Sequence, residues 1–148
     1  MNLGFYVDSI GESELNNQVY DVLEDGIINN KLEDASVFYN NVAFNPRTNN
    51  KFGIFNSTDI WSFTGTLVCE GLMNTSKALN IVNKFKPVYL YKKEQMNLLT
   101  FMDVASRTEA IAITEEDEQE FYRLTGKKPY FFKELSVGNI RKVSECPA

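Results

Sequence analysis

Small polar residues gather wherever an apolar run of this sequence stops. Leu3 to Val7 runs into Asp8-Ser9, with Gly11 and Ser13 close behind. Ala35 to Tyr39 runs into Asn40, Phe52 to Phe55 into Asn56-Ser57-Thr58-Asp59, and Glu109 to Ile113 into Thr114. Carboxylates, amides and hydroxyls of this kind can hydrogen-bond a nucleotide, a sugar or a phosphate. Asp8, Ser9, Asn40, Asn56, Ser57, Thr58 and Asp59 are therefore the candidate ligand-binding residues, and Asp8 and Asp59 are the members able to act as a general base. The same residue types also make turns and helix caps, so both readings stand for this group. Thr114, three residues before Asp117, is read as a cap.

Several chemistries are excluded by what the sequence lacks. It contains no histidine, so a Ser-His-Asp or Cys-His arrangement and histidine-ligated zinc are ruled out. There is no G-x-G-x-x-G after the first apolar run and no G-x-x-x-x-G-K-[ST] anywhere, which argues against a standard dinucleotide enzyme and a P-loop NTPase. Asp8 to Ser13 shares only one Gly and two Ser with a flavin phosphate loop, and no cofactor is expected. A receiver domain needs an acidic pair after its first strand and an Asp after its third, where this chain has only Asp8 and Asn56. Cys69 and Cys146 lie far apart and match no metal-ligand spacing. Cys69, in an apolar run, reads as a small core residue, and no metal is expected. The acidic run Glu115 to Glu120 reads as a solvated helix start.

The composition is that of one globular domain: 148 residues, 43% hydrophobic and 24% charged. The 11 Phe, 7 Tyr and single Trp are too much aromatic payload for a disordered chain. A net charge of −5 disfavours nucleic acid as a partner. The first residues carry no basic region or cleavage pattern, and no run of about 18 apolar residues occurs. A cytoplasmic protein with no membrane partner is the expectation.

Periodicity supplies the elements that would position the candidate residues. Leu3 to Val7 is a buried first strand, and Leu15, Val19, Leu23 and Ile27 form the stripe of a helix capped by Ser13 and ended by Asn29-Asn30. Ala35 to Tyr39 and Phe52 to Phe55 are strands, separated by the polar loop Asn40 to Asn50. Thr64 to Cys69 favours a strand, although Trp61, Gly65, Val68 and Leu72 also fit a helical stripe. A helix capped by Asn74 or Thr75 follows, with Ala78, Ile81, Val82 and Phe85 inward, and then the strand Pro87 to Tyr91. Glu94 to Ser106 is helical with Leu98, Leu99 and Met102 inward. After the strand Glu109 to Ile113, a helix runs from the Thr114 cap to Gly126. Tyr130 to Phe132 is a last strand, and Ser136 caps a final helix holding Ile140 and Val143, with 144–148 as a flexible tail. Strands alternating with helices imply crossovers. The predicted fold is α/β: a single three-layer Rossmann-like domain with a mostly parallel sheet of five to seven strands.

Two stretches carry a resemblance. FGIFNSTDIWSFTGTLVCE, from Phe52 to Glu70, leads to a helix and PVYLY, and RTEAIAITEEDEQEFYRLTGKKP, from Arg107, leads to the terminal helix. Together they resemble uncharacterised small proteins of T4-like marine phages and are similar to a Rossmann-like half of GT-B glycosyltransferases. The resemblance implies a phage-encoded protein in the host cytoplasm, with a fold suited to a nucleotide or sugar nucleotide. A GT-B enzyme places its active site between two such halves and often uses a histidine base. This chain has the length of one half and no histidine, so the expectation is binding without turnover by the isolated chain, and a glycosyltransferase-like reaction if it is catalytic. A homodimer could rebuild a cleft. The alternative is a non-enzymatic protein–protein interaction module with an exposed apolar patch near Trp61 or Phe131-Phe132.

Overall fold

The computed structural model describes residues 1–42, 50–81 and 84–145. The elements run β1 (Asn2–Ile10), α1 (Glu14–Ile28), β2 (Asp34–Val42), β3 (Gly53–Asn56), a 3-10 helix (Ser57–Ser62), β4 (Gly65–Glu70), α2 (Gly71–Leu79), β5 (Phe85–Leu90), α3 (Leu98–Arg107), β6 (Glu109–Ala112), α4 (Glu115–Thr125), β7 (Tyr130–Phe131) and α5 (Val137–Ser144). The seven strands form one sheet in the order β3-β2-β1-β4-β5-β6-β7. Every neighbouring pair is parallel.

Both faces of this sheet are covered, which explains why its central strands are continuous apolar runs rather than alternating ones. On one face Phe5, Val7, Val37, Val68, Val88 and Ile111 pack with Val19 and Leu23 of α1 and Ile140 and Val143 of α5. On the other, Tyr89 and Tyr91 pack with Leu72 of α2, Phe101 and Val104 of α3 and Phe121 of α4. Farther along that face Tyr6, Phe38, Leu67 and Cys69 meet Ile60, Phe63 and Ala78. The molecule is the expected three-layer Rossmann-like α/β domain. Among the described residues no helix is long and apolar enough to cross a membrane.

The helix ends signalled by the sequence are in place. Asn16 N–H donates to Ser13 Oγ at 3.0 Å, Asp117 N–H to Thr114 Oγ1 at 3.1 Å and Asn139 N–H to Ser136 Oγ at 3.1 Å. Asn29 closes α1, and Gly126 closes α4 in the left-handed conformation at φ 73°. The uncertain middle resolves into the 3-10 helix and then β4, so the strand reading of Thr64 to Cys69 holds within a residue at each end.

Three expectations need correction. First, α2 begins at Gly71, so Asn74 and Thr75 are buried within it rather than capping it. It ends at Leu79, which leaves Ile81 beyond the helix and Phe85 in β5; Val82 lies outside the described residues. Second, Pro87 lies inside β5, just before the point at which β6 starts to pair at Val88, where a missing N–H costs little. Third, α3 starts at Leu98 under an Asn97 cap and turns Phe101, Val104 and Ala105 inward. Leu98, Leu99 and Met102 point outward, at 60%, 83% and 41% exposure. Two apolar stripes compete on this helix, and the one carrying the large Phe101 ring is buried.

β2 runs on through Val42, so Asn40 sits in a strand and not in a loop. The remainder of that expected loop, 43–49, lies outside the described residues, as do Cys146 and the other residues of 146–148. Ser144 and Glu145, placed in the expected tail, end and cap α5.

Candidate functional site

The strand order reverses between β1 and β4. The chain leaves β1 toward β2 on one side and later builds β4 and β5 on the other, so the connections diverge there and leave a crevice at the carboxyl ends of the strands. Val7 pairs with Tyr39 and Ser9 with Asn41, which stands Asp8 and Asn40 side by side. Asn40 Nδ2 donates to Asp8 Oδ1 at 3.5 Å and to Asn74 Oδ1 at 2.9 Å. Tyr6, two residues before Asp8 and therefore on the same face of β1, donates its hydroxyl to Asn40 Oδ1 at 2.7 Å. Burial pushes the Tyr6 phenol above its ordinary range, partly offset by its hydrogen bonds with Ser57 and Asn40.

The β4 side completes the cluster. The Asp8 N–H donates to Glu70 Oε1 at 2.9 Å. Lys92, just past β5, lies 3.4 Å from Glu70 Oε2 and 4.0 Å from Asp8 Oδ2, so one ammonium is shared by two carboxylates. Glu94 from the same loop sits on the start of α2, where Leu72 N–H donates to its Oε1 at 2.7 Å. This replaces the missing side-chain cap of α2 and satisfies one of the N–H groups a helix start leaves unpaired. Gly71 makes the close approach possible. Its φ is +78°, and a Cβ there would stand 3.2 Å from Lys92 Cε and 3.3 Å from Glu94 Oε1.

The turn into α1 is folded down onto that helix. Asn16 Nδ2 donates to the Ser9 carbonyl at 2.8 Å, and the Gly11 N–H donates to Tyr20 Oη at 3.2 Å. Two hollows open beside it and share Glu70. One, of about 250 Å³, is polar and includes Asp8, Ser9, Glu12 and Ser13. The other, of about 310 Å³, has an apolar wall of Leu15, Leu90, Tyr91 and Ile113 with Lys92 and Thr114 at its edge. A larger hollow of about 580 Å³ lies between α1 and the approach to α5, away from the strand ends.

The structure thus joins Asp8, Ser9 and Asn40, and Ser57 reaches the group through Tyr6. It does not bring the whole Asn56 to Asp59 stretch there. Asn56 Oδ1 accepts from Thr58 N–H at 3.0 Å as the cap of the 3-10 helix, and both residues are exposed. Asp59 lines a separate hollow with Asp34 and Ser36, at the start of β2. Of the aromatic residues beside that stretch, Phe63 is buried and Trp61 is 67% exposed. Glu70, Asn74, Lys92 and Glu94 escaped the sequence reading. Glu70 is the last residue of β4 and Lys92 and Glu94 lie two and four residues past β5, so each, like Asp8, sits where an apolar run stops. Asn74 is 1% exposed, and its Nδ2 has no hydrogen-bond partner among the described residues. Among the described residues no group of three or more His, Cys, Asp or Glu side chains could hold a metal ion. Comparison of the chain with protein-family models, with curated proteins and with solved structures returns no match.

Proposed function

We propose that this chain is a small-molecule binding domain whose ligand belongs to the nucleotide or sugar-nucleotide class, held in the crevice between β1 and β4. The observation that carries the reading is the convergence of Asp8, Asn40, Glu70, Asn74 and Lys92 at the point where the strand order reverses. Ligands of open parallel sheets bind at such points. The polar hollow offers acceptors for hydroxyl groups, and the adjoining apolar wall offers a face for a flat ring. Asp8 is the exposed carboxylate at the crevice and would be its general base. The lack of a histidine base favours binding over turnover.

A thermal-unfolding screen with nucleosides, nucleotides and UDP-sugars tests this. A ligand at about 100 times its Kd stabilises the fold by about 2.7 kcal/mol, a rise of about 5–10 °C in Tm at this chain length. Asp8→Ala removes that rise without removing the fold. No rise with any of these compounds at millimolar concentration overturns the proposal.

A second reading, protein–protein interaction, is favoured by Leu98, Leu99 and Met102 of α3, exposed together on one helix. Homodimerisation through this face would appear as concentration-dependent sedimentation that Leu99→Lys abolishes. A wild-type chain that remains monomeric at high concentration and captures no partner removes this reading.

A further inference from the structure

We infer that the hollow at the start of β2 is a second site, which binds the protonated amino group of a small aliphatic amine through Asp34, Asp59 and Ser36 over a lining of phenylalanine rings. This site is separate from the crevice and does not rest on the role proposed for it. Asp34, Ser36 and Phe38 alternate along β2, so all three project from one face of the sheet. Phe55 is the register partner of Phe38 on the edge strand β3. The chain then crosses to β4 through the 3-10 helix and not through a full α-helix. Ile60 and Phe63 fix this crossover against Tyr6, Phe38 and Leu67 of the same face. Asp59 and Ser62 stand over the gap left beside it, a hollow of about 310 Å³ shared with Asp34, Ser36, Phe38, Phe55 and Phe63.

The lining has one sign of charge. It includes two carboxylates and no lysine or arginine. Neither Asp34 nor Asp59 is in an ion pair among the described residues. In the crevice, by contrast, Lys92 neutralises Glu70 and Asp8. An anion is repelled from such a hollow and a cation drawn to it. Ser36 adds a group of a different kind. It is 4% exposed and lines the hollow, and its hydroxyl makes no hydrogen bond among the described residues. A polar group buried among rings without a partner is costly, and a ligand N–H that supplies the partner removes that cost.

The rings decide which cation fits. Phe38 lies 5.8 Å from Phe55 at an interplanar angle of 32° and 5.6 Å from Phe63 at 73°. Phe38 and Phe63 are 3% and 4% exposed, whereas Phe55 is 43% exposed. Phe55 is therefore the ring along which an alkyl chain can lie, with its face toward a positive charge. A quaternary ammonium is held by several open ring faces and has no N–H for Ser36. A primary ammonium carries three N–H donors, equal in number to the acceptor groups Asp34, Asp59 and Ser36, and it is charged at neutral pH. The volume lies at the small end of ligand sites, which suits a free amine of a few carbons.

NMR titration of the isotope-labelled intact chain with butylamine, butanol, tetramethylammonium and N-acetyl-lysine amide tests the inference. Butylamine should shift the amide signals of Asp34 to Phe38, Phe55 and Asp59 to Phe63. It should bind at least about tenfold tighter than butanol, which keeps the chain and lacks the charge, and than tetramethylammonium, which keeps the charge and lacks the N–H. Asp34→Asn combined with Asp59→Asn, with folding checked by circular dichroism, should weaken butylamine at least about tenfold. Glu115→Gln combined with Glu116→Gln, which removes the same charge from the exposed start of α4, should leave it unchanged. No shift at these residues at millimolar butylamine overturns the inference, and so does equal binding of butanol or of tetramethylammonium, a comparison that needs no variant. Butylamine binding that survives the double Asp substitution also overturns it. Tighter binding of N-acetyl-lysine amide than of butylamine overturns the assignment to a free amine.

Discussion

Tyr89→Phe should make this protein more stable, although it shortens a residue at the centre of the core. Tyr89 is 0% exposed on β5, and its hydroxyl has no hydrogen-bond partner among the described residues. Its ring is held edge-on by Phe101 at 6.2 Å, Phe121 at 6.3 Å and Tyr91 at 5.9 Å, contacts that a phenylalanine ring keeps. A buried hydroxyl left unpaired costs about 1–3 kcal/mol. Removing it leaves a void of roughly 10 Å³, worth about 0.2 kcal/mol at ~24 cal/mol per Å³. The balance is a gain of about 1–2 kcal/mol, or about 3–6 °C in Tm. Tyr91 is the internal control. It is equally buried, but its hydroxyl donates to Glu120 Oε1 at 3.0 Å, so Tyr91→Phe should lose about 1–2 kcal/mol. The assay is urea unfolding of both variants, with an unchanged m-value showing that the two-state comparison is fair. Tyr89→Phe falling more than about 0.5 kcal/mol below wild type, a shift beyond ordinary near-neutral substitutions, would refute the reasoning. So would a Tyr91→Phe that loses nothing.

Alkaline conditions should destabilise the fold. Burial pushes Tyr6, Tyr89, Tyr91 and Cys69 above their ordinary ranges. Each is neutral when protonated, so its contribution is intact below the unfolded-state value, about 9.0 for the thiol and 10.0 for the phenols. It is lost as pH rises from there toward the folded-state value, because the unfolded chain releases its protons first. The urea midpoint should fall steadily above about pH 9–10, and a flat midpoint through pH 11 would contradict the burial of these groups. Glu94→Ala, which strips the start of α2 of its acceptor, should cost about 1 kcal/mol in the same assay after allowance for partial exposure, and Glu94→Gln about half of that. The phase of α3 can be checked with two alanine substitutions. Phe101→Ala should cost about 3–5 kcal/mol, and Leu99→Ala should lie within about 0.5 kcal/mol of wild type; equal costs would mean that the helix is rotated.

What was legible in the sequence was what is decided locally. Ser13, Thr114 and Ser136 cap their own helices within three residues, and Gly126 ends α4 by its own backbone conformation. These features follow from side-chain reach and from φ, which neighbours along the chain determine. The start of α2 was misplaced because its cap comes from Glu94, 22 residues beyond Leu72, and no local pattern announces that. The phase of α3 was misread for a related reason. Leu98, Leu99 and Met102 make as good a stripe as Phe101, Val104 and Ala105, and only the aromatic group formed by Tyr89, Tyr91 and Phe121 on other elements selects between them.

The candidate site divides along the same line. Asp8, Ser9 and Asn40 could be picked out because each ends an apolar run, and the β1–β2 pairing that joins Asp8 to Asn40 is between successive strands. Glu70 ends a run just as plainly, yet its role depends on β4 lying against β1. Had β4 followed β3 at the sheet edge, Glu70 would stand three strand spacings from Asp8, about 14 Å, and could not accept the Asp8 N–H. Lys92 and Glu94 depend on the same choice, since β5 is positioned by β4. Asn56 to Asp59 shows the converse. It ends its run with four polar residues in succession, but β3 is the outermost strand and the chain turns there into a 3-10 helix that carries Asp59 toward the other end of β2. A polar strand end is therefore not enough to bring groups together in this fold; adjacency to the reversal of strand order is what does so. That adjacency is a property of the sheet, fixed by packing on both of its faces, and it separates Glu70 from Asp59 where their local sequences do not.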